Sequence, residues 1–304
     1  MWVSPRRIGS VLVAALVMFF GVPHGHSDTN VALAQVTTNT ALQIAEGQRL
    51  VRVQSQIQRS AAPGQRLHVV AFPVIGAYGI TRNLTAFGVV PVMNKRMRID
   101  TPDGEITRGP HGLGDVRAFG RYTFLREDGP GTMLRFATFA GVEAPTGRNE
   151  DSDEFGLIPQ PLQLGSGSWD PFGGLMFTYH QLQWQFDAVA TFERNTTAND
   201  FQFGDRFQFD TVVKRRLLPT DLDGASWFLF GNLETNLVHR GRNEKGGQVD
   251  DDSGGTVWYV SPALQFVTPR FVIDAAVQIP VVQDLNGDAL EDDFILTLST
   301  RFNF

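Results

Sequence analysis

The chain has 304 residues and no cysteine, so neither a disulfide framework nor a thiolate metal site is available to it. Its formal charge of −6 argues against nucleic acid as a partner, because phosphate binding calls for a basic patch. The aromatic content is lopsided, 24 Phe against 4 Tyr and 5 Trp, and glycine is frequent at 31, a balance that suits strands punctuated by turns.

The N-terminus opens on Arg6-Arg7 and an apolar run from Ile8 to Val22. That run is shorter than the roughly 20 residues a membrane-crossing helix needs, and it fits the core of a secretory signal. Ala32-Leu33-Ala34 supplies a small-x-small cleavage motif. The expected organisation is a signal peptide over 1–34, a short leader over 35–47 and a β-barrel over 48–304. Cleavage removes two arginines and one aspartate, which takes the net charge from −6 to −7. Beyond the signal no apolar run is long enough for a spanning helix, so a helical membrane protein is excluded.

Period-2 alternation then recurs along the chain and predicts twelve strands, over 48–59, 66–78, 84–98, 114–126, 133–144, 167–179, 183–194, 205–216, 226–238, 256–267, 270–281 and 291–304. In the first, Val51, Val53 and Ile57 share one face and Arg52, Gln54, Gln56 and Gln58 the other. In the fourth, Asp115, Arg117 and Arg121 oppose Val116, Ala118, Tyr122 and Phe124. In the seventh, Trp184, Phe186, Ala188, Ala190 and Phe192 oppose Gln185, Asp187 and Glu193.

The joints carry the topology. Those after the second, fourth, sixth, eighth and tenth strands are short to moderate. Those after the third, fifth, seventh, ninth and eleventh are long, among them 99–113, 145–166, 239–255 and 282–290; the first is short. Short periplasmic turns alternating with long external loops, over an even strand count, are the pattern of an outer-membrane barrel. The last strand alternates Phe294, Leu296, Leu298, Thr300 and Phe302 with Thr297, Ser299, Arg301 and Asn303, and ends on Phe304. It is expected to close the barrel against the first strand near Val51 and Val53. By itself the segment also fits a half-buried edge strand of a secreted β-sandwich.

Several stretches come in order: Tyr78-Gly79-Ile80-Thr81-Arg82-Asn83-Leu84, Gly112-Leu113-Gly114-Asp115, Glu143-Ala144-Pro145-Thr146-Gly147 and Leu164-Gly165-Ser166-Gly167-Ser168. Ser261-Pro262-Ala263-Leu264 and Gln278-Ile279-Pro280-Val281 with Asn286-Gly287 complete the set. Together they resemble the phenol-degradation (MetA-pathway) family of outer-membrane, transporter-like β-barrel proteins. The resemblance implies a cell outer-membrane channel for passive uptake or efflux of small hydrophobic or aromatic compounds.

If the polar face is the lumen, the candidate solute-contact residues are Arg52, Arg117, Arg121, Arg135, Glu143, Asp187, Glu234, Asp274 and Arg301. Each can instead brace the barrel by pairing across strands. Phe119, Phe139, Phe228 and Phe230 fall on the same face, and a register slip of one would turn them to lipid. The alternative function is a structural or adhesive barrel with a plugged lumen and acidic external loops. Those acids are Glu150-Asp151-Ser152-Asp153-Glu154, Asp250-Asp251-Asp252 and Glu291-Asp292-Asp293. They suit contact with lipopolysaccharide, with the strand ending at Phe304 read by the barrel-assembly machinery.

Asp284-x-Asn286-Gly287-Asp288 places hard oxygens at alternating positions but lacks the distal bidentate Glu of a calcium loop, so no metal is expected there. No cofactor motif is present, and His68, His111, His180 and His239 lie in no nucleophile-and-base setting. An enzyme is therefore not expected.

Overall fold

The computed structural model describes residues 40–304. The expected signal peptide and the first part of the leader lie outside the described residues.

Twelve long antiparallel strands form a closed barrel: β1 (Arg49–Ala62), β2 (Gln65–Gly79), β3 (Leu84–Thr101), β4 (Val116–Gly129), β5 (Thr132–Ala144), β6 (Asp170–Gln181), β7 (Trp184–Glu193), β8 (Arg206–Leu218), β9 (Phe228–Arg240), β10 (Gly255–Val267), β11 (Phe271–Leu285) and β12 (Glu291–Asn303). Each strand pairs with its sequence neighbours, and β12 closes on β1 with Val51 opposite Phe302 and Val53 opposite Thr300. Closure gives every strand two partners, which is the condition for putting strand backbone into lipid.

The alternation decides which way each side chain points. Inside are Arg52, Gln54 and Gln56 from β1 and Thr297 and Ser299 from β12, all buried. Outside, Leu298 is 53% exposed, Leu264 54% and Leu233 52%. A soluble sandwich buries its apolar face and exposes its charges, and this molecule does the reverse. The half-buried soluble edge strand is thereby set aside for β12.

Tight turns close the periplasmic end. Between β4 and β5 only Pro130 and Gly131 intervene, and Gly131 adopts φ +71°, a conformation that costs a residue with a Cβ. Three external segments differ from expectation. The stretch 99–113 is no open loop: β3 runs on to Thr101, Gly104–Arg108 folds back along it with Met97 opposite Arg108, and His111–Leu113 continues the pairing. The last external loop shrinks to 286–290 because β11 extends to Leu285, held by Gly255 opposite Leu285 and Thr256 opposite Asp284. Glu291, Asp292 and Asp293, which the acidic pattern groups with the loops although the predicted last strand begins at 291, open β12, and Asp292 is buried in the wall.

The external loops are themselves pinned. Phe201–Gln202, Glu244–Lys245 and Gln248–Val249 form a small sheet that ties the loop after β7 to the loop after β9. Asp288 and Asn286, from the calcium-like pattern, join the loop after β11 to the loop after β9. The Asp288 amide donates to Asp252 Oδ1 at 3.1 Å and the Asn286 amide group to the Ser253 carbonyl at 2.8 Å.

Candidate functional site: the barrel lumen

The inner wall divides into two sectors. From β7 through β12 to β1 it is mostly polar, with small apolar patches at Val238, Val257 and Ile295, and at the outer end an ionic set joins it to β4 and β5. Near the outer end, Glu193 accepts from Arg117 at 2.5 Å and from Arg206 at 2.6 Å, while Arg117 also donates to Glu143. Two arginines and two glutamates thus form a buried ionic set of balanced formal charge. Lower down, Ser299 donates to Asp274 at 2.8 Å and Gln265 to Asp274 at 2.5 Å, with Arg52 3.7 Å from the same carboxylate. Lys214 donates to Gln265 and sits 4.4 Å above the Phe230 ring. Asp210 accepts from Gln208 and Asn236, each at 2.8 Å.

From β2 to β6 much of the wall is apolar. Ile75, Ala77, Phe87, Val89, Phe119, Ala137, Phe139, Phe172 and Met176 form one buried cluster. Phe87 and Phe119 stack at 4.5 Å between centroids, and Phe172 meets Phe119 edge-on at 5.8 Å.

Two inserts cover this apolar sector. From the periplasmic end the chain before β1 enters the lumen. Arg121 clamps it by donating to the Thr40 and Leu42 carbonyls, both at 2.6 Å. The Ala41 amide donates to Thr178 at 2.9 Å, and Ala41 is fully buried in the Phe cluster. From the outer end, the 145–169 loop folds inward. Ile158, Leu162 and Leu164 pack on Leu67, Val69, Ala71, Met93 and Met97. Lys95, on the inner face of β3, donates to the Gln163 carbonyl at 2.5 Å, where the short helical turn Gln160–Leu162 ends.

Asp115, at the base of the same loop, accepts from the Gly147 amide at 2.8 Å and the Ser166 amide at 2.6 Å. Burial pushes its carboxyl above the usual range, against the pull of those donors. At the rim, Arg108 grips Asp153 through two 2.8 Å hydrogen bonds, which hold that carboxyl below the usual range.

Space remains at both ends. An outer cavity of about 520 Å³ lies between β1–β3, β9–β12 and the inward loop, with Leu67, Met97 and Leu162 on one side and Ser60, Arg240 and Asp292 on the other. Asp292 accepts there from Ser60 at 2.5 Å, from Gln58 at 2.9 Å and from Tyr259. An inner cavity of about 480 Å³ lies beside the inserted N-terminal segment, lined by Leu50, Arg52, Ile75, Phe87, Arg121 and Arg301 among others. Both volumes fall within the range of small-molecule pockets.

The nine candidate residues are placed as follows. Arg117 and Glu143 belong to the outer ionic set, and Arg52 and Asp274 to the lower one. Asp187 accepts from Thr178 at 2.5 Å and from Gln185 at 2.8 Å, while Glu234 is fully buried. Arg135 reaches Asp128 at 2.6 Å at the periplasmic turn and Gln43 of the inserted segment at 3.3 Å. Arg121 and Arg301 face the inner cavity. Phe119 and Phe139 are buried in the apolar sector, and Phe230 lies under Lys214.

Pattern reading missed Phe87, Phe172, the apolar inner face of β2 and the N-terminal insert, and it left open whether the 145–166 segment folds inward. One signal was present. In β2 both registers are apolar, Leu67, Val69, Ala71 and Ile75 against Val70, Phe72 and Val74, and a strand apolar on both faces has no polar lumen to meet.

Comparison with known proteins gives a consistent fold. The model of the family described as "Putative MetA-pathway of phenol degradation" matches residues 25–282. The structure is similar to the crystal structure of an outer membrane channel from Pseudomonas putida F1, at TM-score 0.67 and 15% identity over 89% of this chain and 100% of that one. More distant likenesses are the β domain of the Bordetella autotransporter BrkA, at TM-score 0.45 and 10% identity over 85% of this chain and 100% of that one, and the CymD monoaromatic hydrocarbon channel, at TM-score 0.42 and 11% identity over 91% and 94%. No curated protein matches the chain in sequence. The family match covers most of the chain, and the chain belongs to that family.

Proposed function

We propose that this member of the phenol-degradation (MetA-pathway) family is a passive outer-membrane channel for small hydrophobic or aromatic compounds. The observation that carries the reading is the divided lumen. An apolar, Phe-rich wall faces a polar one, and a cavity of small-molecule size opens at each end. A solute with an apolar body and one polar group matches both walls. Among the candidate residues, Arg52, Arg121 and Arg301 would meet the solute at the inner cavity. Arg117, Glu143 and Asp274 would hold the wall in shape. The reading is non-catalytic, since every candidate group serves packing or passage. The acidic external loops would contact lipopolysaccharide through divalent cations, and the strand ending at Phe304 would engage the barrel-assembly machinery.

The test is reconstitution of the protein into planar bilayers and liposomes. Conductance and protein-dependent entry of small aromatic solutes are expected; a folded barrel that neither conducts nor admits solute sinks the reading.

A second reading, a structural or adhesive barrel with a plugged lumen, is favoured by the two inserts. Deleting residues 40–47 separates the two. A channel restricted by its N-terminal segment gains conductance, and a barrel plugged along its whole length does not.

A further inference from the structure

We propose that the two mouths of the lumen form a bipolar charge filter, which passes uncharged amphipathic solutes and holds back both anions and cations. The inference rests on the channel reading above and adds the class of solute that the channel accepts.

The charges at the two cavities are opposite in sign. The outer cavity is lined by Asp250, Asp252, Asp288 and Asp292 against the single cation Arg240. Asp292 is fixed in place by Ser60, Gln58 and Tyr259, so part of this negative potential belongs to the wall and does not swing away with a loop. The inner cavity is lined by Arg49, Arg52, Arg121 and Arg301, with no carboxylate among its described lining residues. Asp274 lies 3.7 Å from Arg52 and offsets one of these charges. The Arg121 guanidinium is held by two neutral carbonyl oxygens, which orient its charge without cancelling it.

These potentials act at short range in a confined space. The screening length at physiological salt is about 8 Å, comparable with the cavities themselves, and low-dielectric walls concentrate the field further. An anion meets like charge at the outer mouth. A cation passes that mouth and meets like charge at the inner one. A neutral molecule pays neither cost.

Between the cavities the β1–β12 seam offers uncharged groups, Gln54, Gln56, Thr297 and Ser299, all buried. The apolar bodies of Leu67, Met97 and Leu162 above, and Leu50, Ile75 and Phe87 below, suit the apolar part of a neutral solute.

The experiment uses three planar solutes of one shape: benzamide, benzoate and benzamidine. Entry into liposomes carrying the full barrel is measured, with protein-free liposomes subtracted. Protein-dependent entry of benzamide is expected to exceed that of both ions by about tenfold or more, the ratio given by some 1.4 kcal/mol of repulsion. Combined Asp250→Asn, Asp252→Asn and Asp288→Asn is expected to raise the benzoate-to-benzamide ratio. Arg49→Gln with Arg301→Gln is expected to raise the benzamidine-to-benzamide ratio. The ionic current of the unaltered protein is expected to rectify, because fixed charges of opposite sign sit at its two ends. Ions entering as fast as benzamide, or ratios that ignore both sets of substitutions, overturn the filter and leave the channel standing. No protein-dependent entry of any of the three overturns the channel reading itself.

Discussion

The two sectors of the inner wall solve one problem in different ways. The polar groups satisfy themselves: Asp274 bonds Gln265 and Ser299 from adjacent strands, and at the outer end Glu193 and Arg206 join Arg117 and Glu143 of β4 and β5 in one ionic set. The apolar sector cannot do so, because Phe, Val and Met side chains facing a wet lumen stay exposed to water. It is covered instead, by Ala41 and Ile44 of the N-terminal segment below and by Ile158, Leu162 and Leu164 of the inward loop above. A barrel strand can therefore carry apolar residues on both faces only where another part of the chain arrives to shield the inner one.

The contrast is open to attack from both sides. The largest effect is expected in the polar sector. Glu193→Ala leaves Arg117 and Arg206 facing each other without their shared carboxylate, and breaking such a buried set costs about 3–5 kcal/mol. Refolding titrations in detergent check this, and a loss under 1 kcal/mol would mean that water replaces the pairing.

The lipid face comes next. Leu298→Arg, in the middle of β12 and 53% exposed, is expected to cost about 2–4 kcal/mol. Phe186→Arg should cost less, because Phe186 is the third residue of β7 and lies toward the periplasmic end. Equal costs would show that depth in the membrane is misassigned.

In the apolar sector Leu164→Ala removes side-chain volume from a covered contact. It is expected to cost about 2 kcal/mol, the lower end for buried leucines, because the loop can settle into the space. Protease digestion of the 145–169 loop should quicken in the same variant.

The smallest effect is at the rim. The Asp153 carboxyl is held low by Arg108, so its contribution is full above the ordinary carboxylate pKa and is lost as the pH falls through its own lower value. Loop protection should fall below about pH 4 and recover on return to neutrality. In Arg108→Gln, protection should be reduced at neutral pH and show little further change in acid.

Twelve strands, the outward belt and the closing pair of β1 and β12 were legible along the chain. Each rests on alternation within a dozen residues, and alternation is local. Leu296, Leu298 and Thr300 on one side and Thr297, Ser299 and Arg301 on the other assign both faces of β12 without knowledge of its partners. Loop lengths were legible to a lesser degree, since a Gly- and Pro-rich stretch such as 102–110 reads as loop while its backbone continues the sheet.

The filling of the lumen was decided only in three dimensions. Arg121 meets the Thr40 carbonyl 81 positions away and Arg117 meets Glu193 76 positions away. No periodicity links residues at those separations, because their meeting depends on the closure of the whole barrel. The sequence by itself determined that alternating strands would close into a barrel with charges turned inward. Tertiary structure decided which of those charges cancel and which remain at the two mouths, because burial and pairing are properties of neighbours in space.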